Sequence, residues 1–525
     1  MTHEINRRQA LRLLAGAAAA PLILRYGSAL AGSTNTFPFG IASGDPWPDG
    51  FVIWTRLSSL PLYPGNEREL PASIPVDWEV ALDESFRTLV QRGRTQALRQ
   101  NAHAVHVELH GLQPGREYWY RFIALGERGP TGRALTLPTP DTRVDKLRLA
   151  VASCAQWERG LFSAYRHMAA ERPDLVLFVG DYIYENNTEP GSTQPIARPY
   201  GAPEATDLAG YRYRYALHKT DPDLQALHAV SPWIATWDDH EVLDDYSGVW
   251  STDPNVSVEQ FQQRRAAAYQ AFLENMPLRR PPIGSNGSPQ IYRQFRYGDL
   301  AGIPVLDGRQ YRSRQPCVAP PHFGKGHMEL STCKDLGDPT RTLLGFEQER
   351  WLYDNLRTSK SRWNLLAQDL LVAPLRAHKP DTGEDRYWTD NWDGFQAGRL
   401  RLIENIRDSR VANPVILSGD YHSFWANHLY ERPEDPDSKL VAPEFVGTSI
   451  TSNGPSYTAI QSVLPDNPQI RFFDSRVRGY LSLDLTPQRL EVRMQAISDR
   501  MDPKATVSTL KGFVLESGSP QLNEV

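Results

Sequence analysis

Four apolar runs between Leu147 and Ser418 stop in the same way. "LRLAVASC" ends on Cys154, "DLVLFVGD" on Asp181, "PWIATWDDHE" on Asp238, Asp239, His240 and Glu241, and "PVILSGDYH" on Asp420 and His422. Runs that are apolar from end to end are expected of strands covered on both faces. Helical stretches fall between them: "GLFSAYRHMAAERP", which must stop near Pro173, and residues 257–275, 345–359 and 396–409. Strands alternating with helices predict an α/β layered domain. In such sheets a site forms at the carboxyl ends of the strands, where the loops converge. That rule brings the terminal residues of all four runs toward one edge.

The residue types at that edge select a chemistry. Carboxylates and a tyrosine phenolate are hard anionic oxygen donors, whereas thiolate and imidazole are softer. A purely soft set would suggest zinc, and a purely oxygen set calcium or magnesium. The mixture here predicts a multinuclear metal centre. A trivalent or borderline ion belongs near Cys154 and Tyr184, and a harder divalent ion among the carboxylates. Such centres clamp a phosphoryl group and acidify water. "WDDHE" is the most specific signal, because four ionisable residues against a buried strand are costly unless paired or metal-bound. Asp181 and Tyr184 are three apart in "GDYIYE", so one turn aims both at one metal pair; Tyr182 and Glu185 read as packing or supporting groups. Arg212 and Arg214, in "LAGYRYRYALHK", diverge on a helix, and a guanidinium suits bidentate phosphate recognition. Trp388 and Trp392 in "RYWTDNWDGF" are candidates for the wall of the entrance.

The rest of the chain frames this domain. Residues 35–140 read as all-β, from short β-branched and aromatic runs such as "GFVIWTRL" and "EYWYRFIAL". "LQPGREYWYRF" looks like the late hairpin of a small immunoglobulin-like or fibronectin-like sandwich, and "LPTPDTRVDK" is a Pro-containing linker. At the start, Arg7-Arg8 precede a short Ala-rich apolar run and a small-x-small site at Ala29-Leu30-Ala31, the pattern of a twin-arginine export signal over 1–31. Removing it would take Glu4 and Arg7, Arg8, Arg12 and Arg25, moving the formal net charge from −5 to −8. The expected location is therefore the periplasm or the outside of the cell, with the Tat translocase as the export partner. In an oxidising compartment Cys317 and Cys333 are expected to pair and clip a Gly/Pro/His-rich loop, leaving Cys154 unpaired. The net charge excludes a general drive toward nucleic acid, and no nucleic-acid partner is expected.

The stretches "ASCAQWERGLFSAYRHMAAERPDLVLFVGDYIYE", "PWIATWDDHEV", "RRAAAYQAFLENMPLR", "VLDGRQYR", "WDGF", "LSGDYHSFW" and "EFVGTSITSNG" together resemble the PhoD-like alkaline phosphatase and phosphodiesterase family, over nearly all of the chain. The resemblance implies a metallophosphatase-type layered β-sandwich flanked by helices, over 146–515, behind the small all-β domain. It implies one ferric ion and one or two calcium ions. Cys154 and Tyr184 would ligate iron, Asp181 would bridge, Asp239 would ligate calcium, and Asp420 and His422 would complete the set. Asp238 and His240 would serve catalysis, and Arg212 or Arg214 would hold the phosphate. The implied reaction is in-line attack by metal-bound hydroxide on phosphomonoesters, phosphodiesters or both. Phospholipid or polymer diesters extend the substrate class, and a phospholipase D-type diesterase is the alternative within it. Two departures stand out: "LDDY" puts Asp245 where some members have asparagine, adding charge if it ligates calcium, and "GDYH" puts Tyr421 where a smaller residue is common. An exported iron oxidoreductase is the alternative from another class, and the carboxylate-rich "WDDHEVLDD" argues against it.

Overall fold

The structure is a computed structural model that describes residues 35–58, 70–189, 191–318, 326–379 and 381–525. The predicted export segment, 1–31, lies outside the described residues. Among those described, no helix is long and apolar enough to cross a membrane.

Two large sheets carry the fold. The first has ten strands in the order Asn523–Glu524, Val507–Glu516, Arg489–Ile497, Arg478–Leu485, Leu147–Ala152, Leu175–Val179, Trp233–Thr236, Ile41–Trp47, Gly50–Arg56 and Ala104–Glu108. The second has seven: Arg293–Tyr297, Ala301–Val305, Trp363–Ala367, Pro414–Ser418, Leu440–Val446, Phe424–Tyr430 and Ile470–Asp474. The first sheet's inner strands are parallel, with Leu175 opposite Leu149 and Val176 opposite Trp233. So are those of the second, with Val305 opposite Ala367 and Ala367 opposite Leu417.

Alternate residues of these apolar strands face opposite layers. Leu149, Val151, Leu177 and Val179 of the first sheet share one core with Ile303, Leu365, Val415 and Leu417 of the second. The other face of the first sheet, through Ala150, Ala152, Val176 and Phe178, packs on helices Ser163–Glu171, Leu208–Lys219, Pro222–Val230 and Val258–Asn275. The outer face of the second, through Leu366, Ile416 and Val446, packs on Phe346–Thr358 and Gln396–Ser409. The order of layers is helix, sheet, sheet, helix. Each fully buried Leu or Phe in them contributes about 1.5–3 kcal/mol.

The described residues of 35–140 hold strands and one short 3-10 turn. Ser73–Ala81, Leu89–Leu98, Glu117–Ala124, Glu127–Arg128 and Gly132–Leu135 form a separate sheet. The Tyr118 hydroxyl accepts from Gln113 N (2.8 Å), the corner that fixes the "LQPGREY" turn. This sheet packs through Val76, Val80, Tyr120 and Phe122 on Phe51 and Ile53 of the ten-stranded sheet. Its partner layer is thus an extension of the ten-stranded sheet. Ile41–Trp47 runs parallel to Trp233–Thr236, with Gly44 opposite Trp233. A Cβ at Gly44 would lie 2.4 Å from Pro277 O and 2.6 Å from Trp233 O, so only glycine admits the join. The linker near residue 140 separates two stretches of chain, while hydrogen bonding runs straight across them.

Candidate metal centre

The parallel strands deliver their ends to one place because they share direction in both sheets. Just past Leu147–Ala152, Cys154 N donates to Gly180 O (3.1 Å) and Ala155 N to Asp181 O (2.9 Å), zipping the first two strand ends together. Cys154, Asp181, Asp420 and His422 all have left-handed backbones, with φ of 61°, 60°, 58° and 52°. That conformation is unfavourable for residues with a Cβ, and it recurs at four positions past three strand ends.

Cys154, Asp181 and His422 each offer a ligand atom within 4.8 Å of the others. Tyr184 Oη donates to Asp181 Oδ2 (2.8 Å), accepts from Ser452 Oγ (2.7 Å), and lies 3.1 Å from His422 Nε2. His422 Nδ1 faces the Asn453 carbonyl at 2.8 Å, which fixes its hydrogen on that nitrogen and leaves the Nε2 lone pair toward the cluster. Burial pushes the Cys154 thiol and the Tyr184 phenol well up, and the neighbouring Asp181 carboxylate adds to both shifts. Burial also lowers His422 to about 3, keeping it neutral. Protein alone therefore holds these donors neutral, and a cation is what would draw off their protons.

Asp181 also groups with Asp239 and His240, and Asp239 belongs to two further groups, with Asp238 and Asp420 and with Asp244 and Asp245. Asp245 N donates to Asp239 Oδ2 (2.6 Å), from a residue itself at φ 56°. Burial, reinforced by Asp239, Asp390 and Asp369 and opposed by Arg309, pushes the Asp420 carboxyl up to about 8. His240 goes the other way: burial disfavours its charge, but Glu185, Asp239 and Asp181 raise it well above its ordinary value. Its Nδ1 is 2.7 Å from Glu185 Oε2, and its ring lies on that of Tyr184, centroids 4.0 Å apart.

Neither Arg212 nor Arg214 joins the cluster. Arg212 forks onto the Glu274 carboxylate and also reaches Gln100 O (2.6 Å) at the seam with the N-terminal strands. Arg214 is buried over the Tyr200 ring and donates to Glu185 O (3.0 Å), Asn187 Oδ1 (2.5 Å) and Pro203 O (3.0 Å). It braces the loop after Tyr184 through Nη2 alone, while its Nε and Nη1 are buried without a hydrogen-bond partner. Asp238, expected to act in catalysis, is fully buried and held by Arg309 Nε. Trp392 is core rather than entrance, with Nε1 donating to Gln368 Oε1 (3.2 Å). Cys317 and Cys333 form a disulfide, and Cys154 is free and buried.

A family model described as "PhoD-like phosphatase" matches residues 149–494, and one described as "PhoD-like phosphatase, N-terminal domain" matches 25–138. The chain belongs to the PhoD-like phosphatase family. Alkaline phosphatase D of Bacillus subtilis (strain 168) is 41% identical to it over 497 residues, 94% of this chain and 83% of that protein. A solved structure described as "Structure of PhoD" aligns with a TM-score of 0.86 at 41% identity, covering 94% of this chain and 93% of that one. Like the family, this chain is a hydrolase of phosphoric esters, and the iron oxidoreductase alternative falls away.

What the strand ends alone did not reveal in this PhoD-like phosphatase comes from the second sheet. Arg309 follows Ala301–Val305 and is fully buried. Besides Asp238, its Nη1 and Nη2 each lie 2.8 Å from an Asp390 oxygen, and its Nη2 is 3.6 Å from Asp239 Oδ1 and 4.0 Å from Asp420 Oδ1. Arg312 and Gln315 hold Asp390 in turn. Asp369, past Trp363–Ala367, is buried with neither oxygen hydrogen-bonded. Glu241 accepts from the amides of Asp181 (3.2 Å), Tyr182 (2.5 Å) and Asp238 (2.9 Å), tying two strand ends by one carboxylate.

Proposed function

We propose that this PhoD-like phosphatase is a metal-dependent phosphoesterase of phosphomonoesters and phosphodiesters, exported by the twin-arginine route to the periplasm or beyond. In this reading a ferric ion is held by Cys154, Asp181, Tyr184 and His422, and one or two calcium ions by Asp239 and Asp420, with Asp244 and Asp245 beside them. The observation that carries it is Asp181, whose carboxylate belongs both to a thiol–imidazole group and to an oxygen-rich group. A soft-and-phenolic set beside a hard one suits two kinds of ion. The donors fit such a load: Asp239 Oδ1 and Asp238 Oδ2 are buried with no hydrogen-bond partner, and Asp238, Asp239, Asp390 and Asp420 outnumber Arg309, the guanidinium they share, a costly excess of negative charge that further cations would relieve.

Bound there, the ions supply Lewis acidity toward the phosphoryl oxygens and acidify water. The protein supplies orientation and protons. Glu185 fixes the His240 ring through Nδ1 and keeps it charged, so that Nε2 is the proton donor for a leaving oxygen. Nε2 lies 3.6 Å from Asp244 Oδ1, at the edge of the carboxylate group. Arg309 holds Asp238 as a counter-charge behind the centre, leaving Asp239 and Asp420 facing it.

Metal analysis of the purified exported protein, with p-nitrophenyl phosphate and bis-p-nitrophenyl phosphate assayed with and without chelator, tests this reading. Iron and calcium together with chelator-sensitive hydrolysis are expected. Absence of iron, or activity indifferent to calcium removal, overturns the mixed-metal assignment. Replacing Arg7 and Arg8 by lysine is expected to hold the protein in the cytoplasm, read by cell fractionation.

A further inference from the structure

Glu444 stands in Leu440–Val446, with Ile416 opposite it on one side and Asn427 on the other. It is fully buried, and among the described residues it makes no ion pair. Four donors surround its carboxylate instead. Oε1 accepts from Val372 N (2.7 Å) and Ser418 Oγ (2.8 Å), and Oε2 from Ala373 N (2.9 Å) and Asn427 Nδ2 (3.0 Å). Burial lifts this carboxyl above its ordinary value, and all four donors oppose the lift. Each oxygen faces a backbone amide, which can only donate, so a proton or an NH2 group on either one would meet an N–H. The site is built for a charge, and a charge this deep without a counter-ion is costly.

The groups that Glu444 holds belong to the ends of two strands. Ser418 closes Pro414–Ser418 two residues before Asp420, and its Oγ also accepts from Gln368 Nε2 (2.6 Å). Val372 and Ala373 lie on the turn that begins at Asp369, just past Trp363–Ala367. Gly419 N donates to Asp369 O (2.8 Å), so the two turns are also joined directly. Both turns carry acids of the carboxylate end. Asp420 groups with Asp238 and Asp239, and the Asp369 oxygens lie 2.3 Å from where a Cβ on Gly308 would be, next to Arg309. The left-handed backbone of Asp420 persists only where its surroundings over-determine it. In the first sheet Glu241 has the same place, accepting from the amides of Asp181, Tyr182 and Asp238.

We infer that Glu444 is a positioning residue for the carboxylate end of the metal centre. Its charge fixes the turns after two strands of the second sheet, and with them Asp369 and Asp420. It acts through those residues and touches no reacting atom. This role rests on the calcium reading of that end, and it makes calcium affinity depend on a carboxylate that never meets the ion. Partners that orient a metal ligand from behind have such an effect.

Glu444→Gln keeps the size of the side chain and removes its charge. In purified protein freed of calcium, then titrated with calcium in a calorimeter, it is expected to weaken binding by about 10- to 100-fold. Iron content is expected to stay, and hydrolysis of p-nitrophenyl phosphate to recover at saturating calcium. A residue that only stabilised the fold would lower the melting midpoint and leave the calcium affinity of the folded protein alone. Asn427→Ala supplies that contrast. It removes one bond to Glu444 from the middle of a strand, and is expected to lower the midpoint with calcium affinity unchanged. Ser418→Ala, which cuts the link to the Asp420 turn, is expected to weaken calcium, and carries the test if Glu444→Gln does not fold. Wild-type affinity in the folded variant, or equal loss in Ser418→Ala and Asn427→Ala, overturns the positioning role. Wild-type protein that takes up no calcium overturns the calcium reading itself, separately from Glu444.

Discussion

At one end of the centre, the donor atoms of Cys154, Tyr184 and His422 meet Ser153, Ser452 and the Asn453 carbonyl, with the Asp181 carboxylate accepting from Tyr184. At the other end, Asp238, Asp239, Asp420 and Asp390 gather round a buried arginine that is already charged. The first end has its cations at a remove from the donor atoms, Arg478 Nη1 on the His422 carbonyl (2.6 Å) and the His240 ring over that of Tyr184, and its thiol and phenol stay protonated until a metal arrives. The second arrives partly neutralised. The difference teaches how a protein with this many buried acids folds before it is loaded. One end waits as neutral acids, and the other is stapled by Arg309 and Arg312. The metal at the first end should therefore be bound tightly and lost rarely, and that at the second should exchange.

Breaking the shared residue gives the largest effect. Asp181→Asn is expected to release both kinds of ion and lower kcat/KM by about 10³-fold, the several kcal/mol that metal ions supply to a transition state. Breaking one end at a time sharpens the comparison. Cys154→Ala is expected to lose iron and keep calcium, whereas Asp239→Asn does the reverse, both read by elemental analysis. Asp238→Asn, at a residue committed to Arg309, is expected to keep both ions. Equal loss from all three variants would mean that the two ends are a single unit.

Arg309→Gln comes next. Removing one partner of a buried charged set leaves the others unpaired, at a cost of about 3–5 kcal/mol. The apo protein is expected to lose that much in urea unfolding, and calcium is expected to recover part of it by taking over the neutralisation. The double variant Arg309→Gln/Asp238→Asn should be less damaged than the single one, because one orphaned charge goes with its partner. Additive losses would show that Arg309 acts mainly through Asp390.

The contrast between the ends also shows what the chain's letters made legible. The Cys154 end could be read because each donor closes an apolar run, and the wedge "GDYIY" sets Asp181 and Tyr184 one turn apart. The α/β alternation and the helices over 258–275, 346–358 and 396–409 followed from periodicity, to within a residue. Arg309 escaped notice because an arginine after a strand ordinarily reads as solvated, although "IPVLDGR" closes like the other runs. Its cue was Gly308, where a Cβ would lie 2.3 Å from both Asp369 oxygens, so glycine alone lets the two loops meet. Arg212 and Arg214 misled because helical offset says which way a side chain leaves its helix, and nothing of the carbonyls and Glu274 that wait there. The sheet running into residues 35–140 was hidden for a similar reason: the pairing of Gly44 with Trp233 joins residues 189 positions apart, beyond any local pattern.

A smaller effect lies in the pH response of metal-free protein. Asp420 has a carboxyl raised to about 8 by burial among other acids, against an unfolded value near 4. The folded state therefore holds a proton there that the unfolded chain gives up across that window. Its contribution to stability is whole below pH 4 and is lost as pH rises through 8. The melting temperature of chelated protein is expected to fall from pH 5 to 8, and calcium is expected to flatten the fall by replacing the proton. Asp420→Asn should flatten it without calcium. A fall of equal slope in that variant would move the cause to the Cys154 end.

The smallest expected effect tests how far the carboxylate end reaches. Cys317 and Cys333 close a loop of 16 residues, for which the chain-entropy contribution is about 3 kcal/mol. The clip lies beside two supports of Asp390. On one side, Gln315 donates to Asp390 and to Asp245 O (3.2 Å). On the other, His327 pairs with Trp388 across two short strands, and Thr389 N donates to Gly326 O (3.0 Å), one residue before Asp390. Opening the clip loosens both supports of the acid that steadies Arg309, and none of the contacts of Cys154, Tyr184 or His422. The double variant Cys317→Ser/Cys333→Ser is expected to lower the melting midpoint by about 2–4 °C. It is expected to weaken calcium a few-fold in a titration followed by calorimetry, with iron content unchanged. If iron falls as far as calcium, the loop supports the whole centre, and the division into a waiting end and a stapled end has to be given up.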